Sequence, residues 1–189
     1  YKRIPLIDEL RGVAIIGMVI YHFLYSLAYI FNINIGAWTL QAMELVQPYL
    51  AGLLILLAGF CCRYSKSNIK RGVKVFLLGI GITVVTVVFI PSQAIYFGIL
   101  HFMGVSMLLF EAVKRWLDKR NPYIMLFVFT AVFFLTFRMR MGYLALPFGA
   151  RIEIPSGAYH FWLAPLGLPG EGFASSDYFP LLPWFALFL

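Results

Sequence analysis

The chain has 189 residues, 62% hydrophobic and 12% charged, with a mean hydropathy of +0.87. That is too little charge to clothe a water-soluble domain. The net charge of +7 sits in short segments between apolar runs, as membrane topology requires, so there is no soluble basic face and no nucleic-acid partner is expected.

The fold predicted is all-α, a polytopic membrane bundle, because the apolar runs are about 17–22 residues long and do not alternate. Helix one covers 12–30; it is too long and wrongly flanked for a cleaved signal peptide. An uncharged loop, 32–41, leads to helix two over 42–61, which ends in the adjacent Cys61 and Cys62. That pair gives no disulfide framework; packing is its plain role, S-acylation the lesser one. A basic segment with Arg63, Lys66, Lys70, Arg71 and Lys74 overlaps the start of helix three, 73–90. Pro91-Ser-Gln93 makes a tight turn into helix four, 94–113. A second basic segment, Lys114, Arg115, Lys119 and Arg120, precedes helix five, 122–137. A Gly/Pro-rich segment fills 138–176. Helix six starts at Asp177, with Ser175, Ser176 and Asp177 available as caps and Pro180 tolerated in its first turn. The reading is five complete transmembrane helices and the start of a sixth, in one domain over 1–189 that belongs to a longer protein.

Charge sets the orientation. With the N-terminus cytoplasmic, Lys2, Arg3, Arg11 and both basic segments lie inside, and only Arg138, Arg140 and Arg151 of the 15 basic residues lie outside. The 138–176 segment is then extracytoplasmic. Its length and its Tyr159, His160 and Trp162 point to an ordered lid or re-entrant segment.

Few groups here can carry chemistry. Arg11 and His22 are eleven residues apart, close to whole helical turns, so they share a face, with Asp8, Ser26 and Tyr29 near it. The rise is about 16 Å, which sets His22 near mid-membrane. An ionisable group at that depth rarely faces lipid. It is either a hydrogen-bonded structural His or a general base, for which imidazole suits neutral pH. His101, flanked by Gly98 and Gly104, reads as a close helix contact or a second active imidazole. Glu44, three residues before Gln47, could orient an imidazole or cap an interface. No metal is expected: no HxxH or HxxxH spacing occurs. Gly79 and Gly81 read as packing glycines, and no Walker A, GxGxxG or GxSxG pattern is present.

Three blocks then resemble one family. Ile7-Asp-Glu-Leu-Arg-Gly-Val-Ala-Ile with Met18-Val-Ile-Tyr-His22 resembles the first helix of the heparan-alpha-glucosaminide N-acetyltransferase catalytic-domain family. Phe97-Gly-Ile-Leu-His-Phe-Met-Gly104 and Asp177-Tyr-Phe-Pro-Leu-Leu-Pro-Trp184 are similar to its bacterial branch. The Arg-Gly pair followed by a helix-one His is similar to the wider transmembrane acyltransferases that modify surface glycans. The resemblance implies a multi-pass enzyme of the bacterial cytoplasmic membrane. It would move an acetyl group from cytoplasmic acetyl-CoA to a sugar acceptor on the far side.

Carried over, Asp8 and Arg11 belong to the donor end. His22 would correspond to the helix-one histidine and act as the base, with His101 or Glu44 orienting it, unless His101 does that work in its place. Apart from the resemblance, Tyr159, His160 and Trp162 are expected to contact the acceptor because aromatic faces suit sugar rings, with Asp177 beside them. A homo-oligomer is compatible with this. One departure stands out: animal-type members carry an outer histidine shortly after helix one, and here Asn32-Ile-Asn-Ile-Gly-Ala-Trp38 has none. The alternative from another class is a proton-coupled transporter or a non-catalytic scaffold, for which intramembrane His and Glu would mark a proton path.

Overall fold

The computed structural model describes residues 5–189; Lys2 and Arg3, used in the orientation argument, lie outside the described residues. The chain divides into two compact units, one ending at Ala58 and one starting at Gly59. Among the described residues, four helices are long and apolar enough to cross a membrane: Pro5–Ile30, Ala37–Arg63, Asn68–Phe89 and Pro122–Met141.

In the first unit, α1 spans Pro5–Tyr25 and closes in a π-helical turn, Ser26–Ile30. Its row Arg11, Ala14, Met18, His22 follows helical spacing, and Ala14 and Met18 are its buried residues. Val13, Ile16, Ile20 and Phe23 on the other side are exposed, as a lipid-facing surface should be. Gly17 lets Leu50 approach: a Cβ there would lie 2.8 Å from Leu50 Cδ1. Helix α2 spans Ala37–Tyr64, starting five residues earlier than predicted. Nothing in Ala-Trp-Thr-Leu-Gln opposes a helix. The break comes before it, where Gly36 takes φ +85° and its N–H donates to Asn34 Oδ1 at 2.9 Å.

The second unit takes the end of α2 from Gly59 and is built on an antiparallel pair, α3 (Asn68–Phe89) and α4 (Ile99–Leu117). Asn68, fully buried at the start of α3, donates to Cys62 O at 2.9 Å and to Glu111 Oε2, near the end of α4, at 3.1 Å. Glycines set the spacing. A Cβ on Gly104 would meet the Phe76 backbone N at 2.7 Å and Cα at 2.8 Å, and one on Gly72 would meet Gly104 O at 2.9 Å. Close backbone approach of this kind replaces the hydrophobic drive that lipid removes.

Helix α4 begins five residues later than predicted, because 94–98 is extended and pairs with the segment before α6. Ser176 N–H donates to Ala94 O at 3.2 Å, Phe179 N–H donates to Phe97 O at 3.1 Å, and Phe97 bridges Tyr178 in parallel. With Glu111, Lys114 and Arg115 inside it, α4 is not among these four apolar helices.

Helix α5 spans Pro122–Thr136, with Asn121 Oδ1 accepting from Tyr123 N (2.9 Å) and Ile124 N (3.4 Å) and Pro122 in the first turn. The 138–180 stretch is ordered as 3₁₀ turns around a small antiparallel hairpin. Its strands are β1 (Tyr143–Ala145) and β2 (Arg151–Glu153), with Leu144 opposite Ile152. Helix α6 spans Leu181–Phe188 with Pro180, not Ser175 to Asp177, at its N-cap. Trp184 meets Phe133 of α5 at 5.8 Å, and Phe188 meets Phe102 and Phe110 of α4.

Candidate functional site

In the first unit the polar row of α1 has one cationic end and one imidazole end. Arg11 lies 3.9 Å from Asp8, one turn earlier, with its side chain 39% exposed. Such a long, open pair contributes little to stability. His22 follows Met18 by one turn and is exposed. Tyr21 meets its ring edge-on at 5.3 Å. The backbone changes character just past it: Ser26 Oγ donates back to His22 O at 2.8 Å, and Phe31 N–H donates to Ser26 O across the wider π turn. Single π turns occur often at functional sites. The Tyr25 and Tyr29 rings lie across this turn 4.6 Å apart, tilted by 36°. Glu44 is exposed on α2, and Gln47 on the same face is half-buried.

In the second unit His101 is closed in. It is buried between Phe97, which stacks on it at 5.8 Å, and Phe76, edge-on at 5.7 Å. Thr83 fixes its tautomer. The Thr83 hydroxyl donates to Ile95 O at 2.6 Å, so toward His101 Nε2, 3.3 Å away, its oxygen can only accept. The proton is therefore on Nε2. Nδ1 carries the lone pair, is buried, and has no partner among the described residues. It faces Gly79, where an added Cβ would sit 3.0 Å from it. Thr83 was not singled out from sequence, because its link to His101 depends on the α3–α4 register.

Asp177 serves α4 rather than α6. Its Oδ2 accepts from Ile99 N–H at 2.8 Å, capping the N-terminus of α4 from 78 residues away. Gly98 makes room, since a Cβ there would overlap that oxygen at 2.3 Å. Ser175 Oγ donates to Asp177 O at 2.6 Å, and Ser176 Oγ donates to Gln93 Oε1 at 2.7 Å.

Beside this junction lies a cavity of about 500 Å³ whose walls include Gln93, Tyr96, Phe161, Glu171, Phe173 and Ser176. Phe173 meets Tyr96 and Phe161, each at 6.2 Å. Glu171 is exposed at its rim and forms no ion pair among the described residues. Aromatic faces with one carboxylate suit a polar ring bearing a cationic group.

None of the expected acceptor residues is among the walls of this cavity. Tyr159 donates its hydroxyl to Met139 O at 2.6 Å, His160 is exposed, and Trp162 is 84% exposed. Tyr178, beside Phe173, donates to Ala164 O at 2.6 Å; burial pushes its phenol up to about 12, against a smaller opposing pull from Arg140.

No group of three or more His, Cys, Asp or Glu able to hold a metal occurs among the described residues. No curated protein and no solved structure matches the chain. A family model does: the one described as heparan-alpha-glucosaminide N-acetyltransferase, catalytic, matches residues 3–189, and the chain belongs to that family.

Proposed function

We propose that this chain forms the catalytic part of a membrane acetyltransferase that moves acetyl from cytoplasmic acetyl-CoA to an amino sugar on the opposite side. The observation that carries this reading is the α1 row: Arg11 at one end and an exposed His22 about 16 Å along the helix, just before a π turn. Arg11 is the donor contact, because a guanidinium binds phosphate oxygens through paired N–H groups. Asp8, 3.9 Å from it, belongs to the same donor end.

His22 acts as general base. It takes a proton from the acceptor amine or hydroxyl as that atom attacks the thioester carbonyl. The new C–N or C–O bond forms, the C–S bond breaks, and the CoA thiolate leaves and recovers the proton from the imidazolium. The enclosed setting of His101 favours His22 for this step; His101 instead holds α3 against α4, with its tautomer fixed by Thr83. Glu44 is a candidate for orienting the imidazole during turnover.

The charge bias places the basic segments inside and the 138–176 segment outside. The cavity bounded by that segment is then the acceptor pocket, with Tyr96 and Phe173 under the sugar ring and Glu171 accepting hydrogen bonds from its amino and hydroxyl groups. Tyr159, His160 and Trp162 belong to the outer approach to it, and Asp177 to its support through α4.

Donor and acceptor contacts separate in one paired experiment on the full-length protein. Arg11→Ala is expected to weaken acetyl-CoA binding by about 10- to 100-fold, the range for a lost charge-assisted hydrogen bond, with the acceptor KM unchanged. Glu171→Gln is expected to raise the KM for glucosamine and leave that for acetyl-CoA alone. An unchanged acetyl-CoA affinity in Arg11→Ala would remove Arg11 from the donor site.

A further inference from the structure

The end of α5 carries a charged group that acyl transfer does not use. A cavity of about 620 Å³ lies between α5 and the β1–β2 hairpin, walled by Ala131, Phe134 and Leu135 on one side and Leu146 and Pro147 on the other. Arg138 is the only charged residue among its described walls. Its neighbours are engaged: Arg140 lies over the Tyr178 ring at 5.0 Å, and Arg151 lies 3.7 Å from Glu153 and over Tyr143. Arg138 forms no ion pair among the described residues; its guanidinium donates to Met141 Sδ at 3.3 Å, a weak acceptor. It also sits near the end of the apolar span Pro122–Met141, at the depth where hydrocarbon gives way to headgroups.

The hairpin tip supports the same reading. Phe148 is fully exposed and takes φ 60°, ψ 23°, a left-handed conformation uncommon for a side chain of that size. A strained, exposed aromatic is poorly placed in water and well placed in the headgroup layer, where aromatic rings collect.

We propose that this cavity binds one anionic phospholipid, with its phosphate on Arg138 and an acyl chain between α5 and the hairpin. The apolar walls call for a hydrocarbon chain, and the uncompensated guanidinium calls for a net negative head. The inference rests on the membrane reading of α5 and not on acetyl transfer.

Native mass spectrometry of the full-length protein with equal amounts of phosphatidylglycerol and phosphatidylcholine tests it. Wild type is expected to retain phosphatidylglycerol about fivefold over phosphatidylcholine, the discrimination of one interfacial cation. Arg138→Gln is expected to lose that preference. Ala131→Trp, which fills the cavity and keeps the charge, is expected to lose the bound lipid of either kind, and it decides the matter if Arg138→Gln does not survive purification. An unchanged lipid ratio in Arg138→Gln would overturn the proposal. So would retention of the lipid by Ala131→Trp, or its displacement by millimolar inorganic phosphate, which would mean a plain anion site. Acetyl transfer is measured alongside, so an unchanged lipid ratio in Arg138→Gln while wild type still transfers acetyl sinks this inference alone.

Discussion

His22→Ala in the full-length protein is expected to lower acetyl transfer by about a hundred- to ten-thousand-fold, the usual contribution of a positioned general base. The protein should remain folded, because His22 is exposed and its ring makes no hydrogen bond among the described residues. Surface changes of that kind cost within about 0.5 kcal/mol. Acetyl-CoA affinity should stay near wild type, since Arg11 at the far end of the row is untouched. The measurement is the transfer rate at saturating acetyl-CoA, with a detergent-solubilised thermal melt beside it. His22→Asn supplies a second arm: it can still hydrogen-bond but is not basic, so equal losses in both variants mark proton transfer rather than packing. Activity retained in Asn but lost in Ala would assign His22 a structural part.

The second large effect is on stability. Gly104→Leu is expected to prevent α3 and α4 from pairing, and Gly104→Ala to cost about 1–3 kcal/mol, the range for overpacking a tight contact. A Cβ at this position meets backbone atoms of Phe76, with N at 2.7 Å and Cα at 2.8 Å, as well as its Cβ. Backbone cannot rotate aside as a side chain can, so relief requires moving one helix from the other. That shift would also part His101 from Thr83, now 3.3 Å apart. Thermal denaturation of the purified protein, followed by loss of the monodisperse peak, reads the effect. Gly81→Ala is the control, because nothing lies within 4 Å of a Cβ there. If the two Ala variants melt alike, close packing at Gly104 is not what holds the pair.

What could be read from sequence follows the range of each signal. The α1 row was legible because helical periodicity links Arg11 to His22 within one helix. The presence of long apolar helices was legible because lipid leaves the backbone few options, but α1, α2 and α3 each start five to seven residues before the predicted bounds. The misread features are those set by distant partners. Asp177 looked like the cap of its own helix, yet it caps α4 across 78 residues. The same pairing keeps 94–98 extended, where an apolar pattern suggested helix. Glu171 sits in Gly170-Glu-Gly172, an unremarkable loop in the sequence; its place at the rim of an aromatic cavity depends on where Tyr96 and Phe173 meet. His101 was visible as an imidazole between Gly98 and Gly104, but its enclosure by Phe76, Phe97 and Gly79 required the α3–α4 register.

The central claim is acetyl transfer across a membrane, and sealed proteoliposomes of the full-length protein test it most directly. Acetyl-CoA labelled in the acetyl group is supplied on the face that carries the N-terminus, with glucosamine only in the opposite compartment. Labelled N-acetylglucosamine in the glucosamine compartment, with free CoA released on the donor side and neither formed by His22→Ala, is the predicted result. Product that forms only when donor and acceptor share a compartment, or that forms equally well with His22→Ala, would contradict the account.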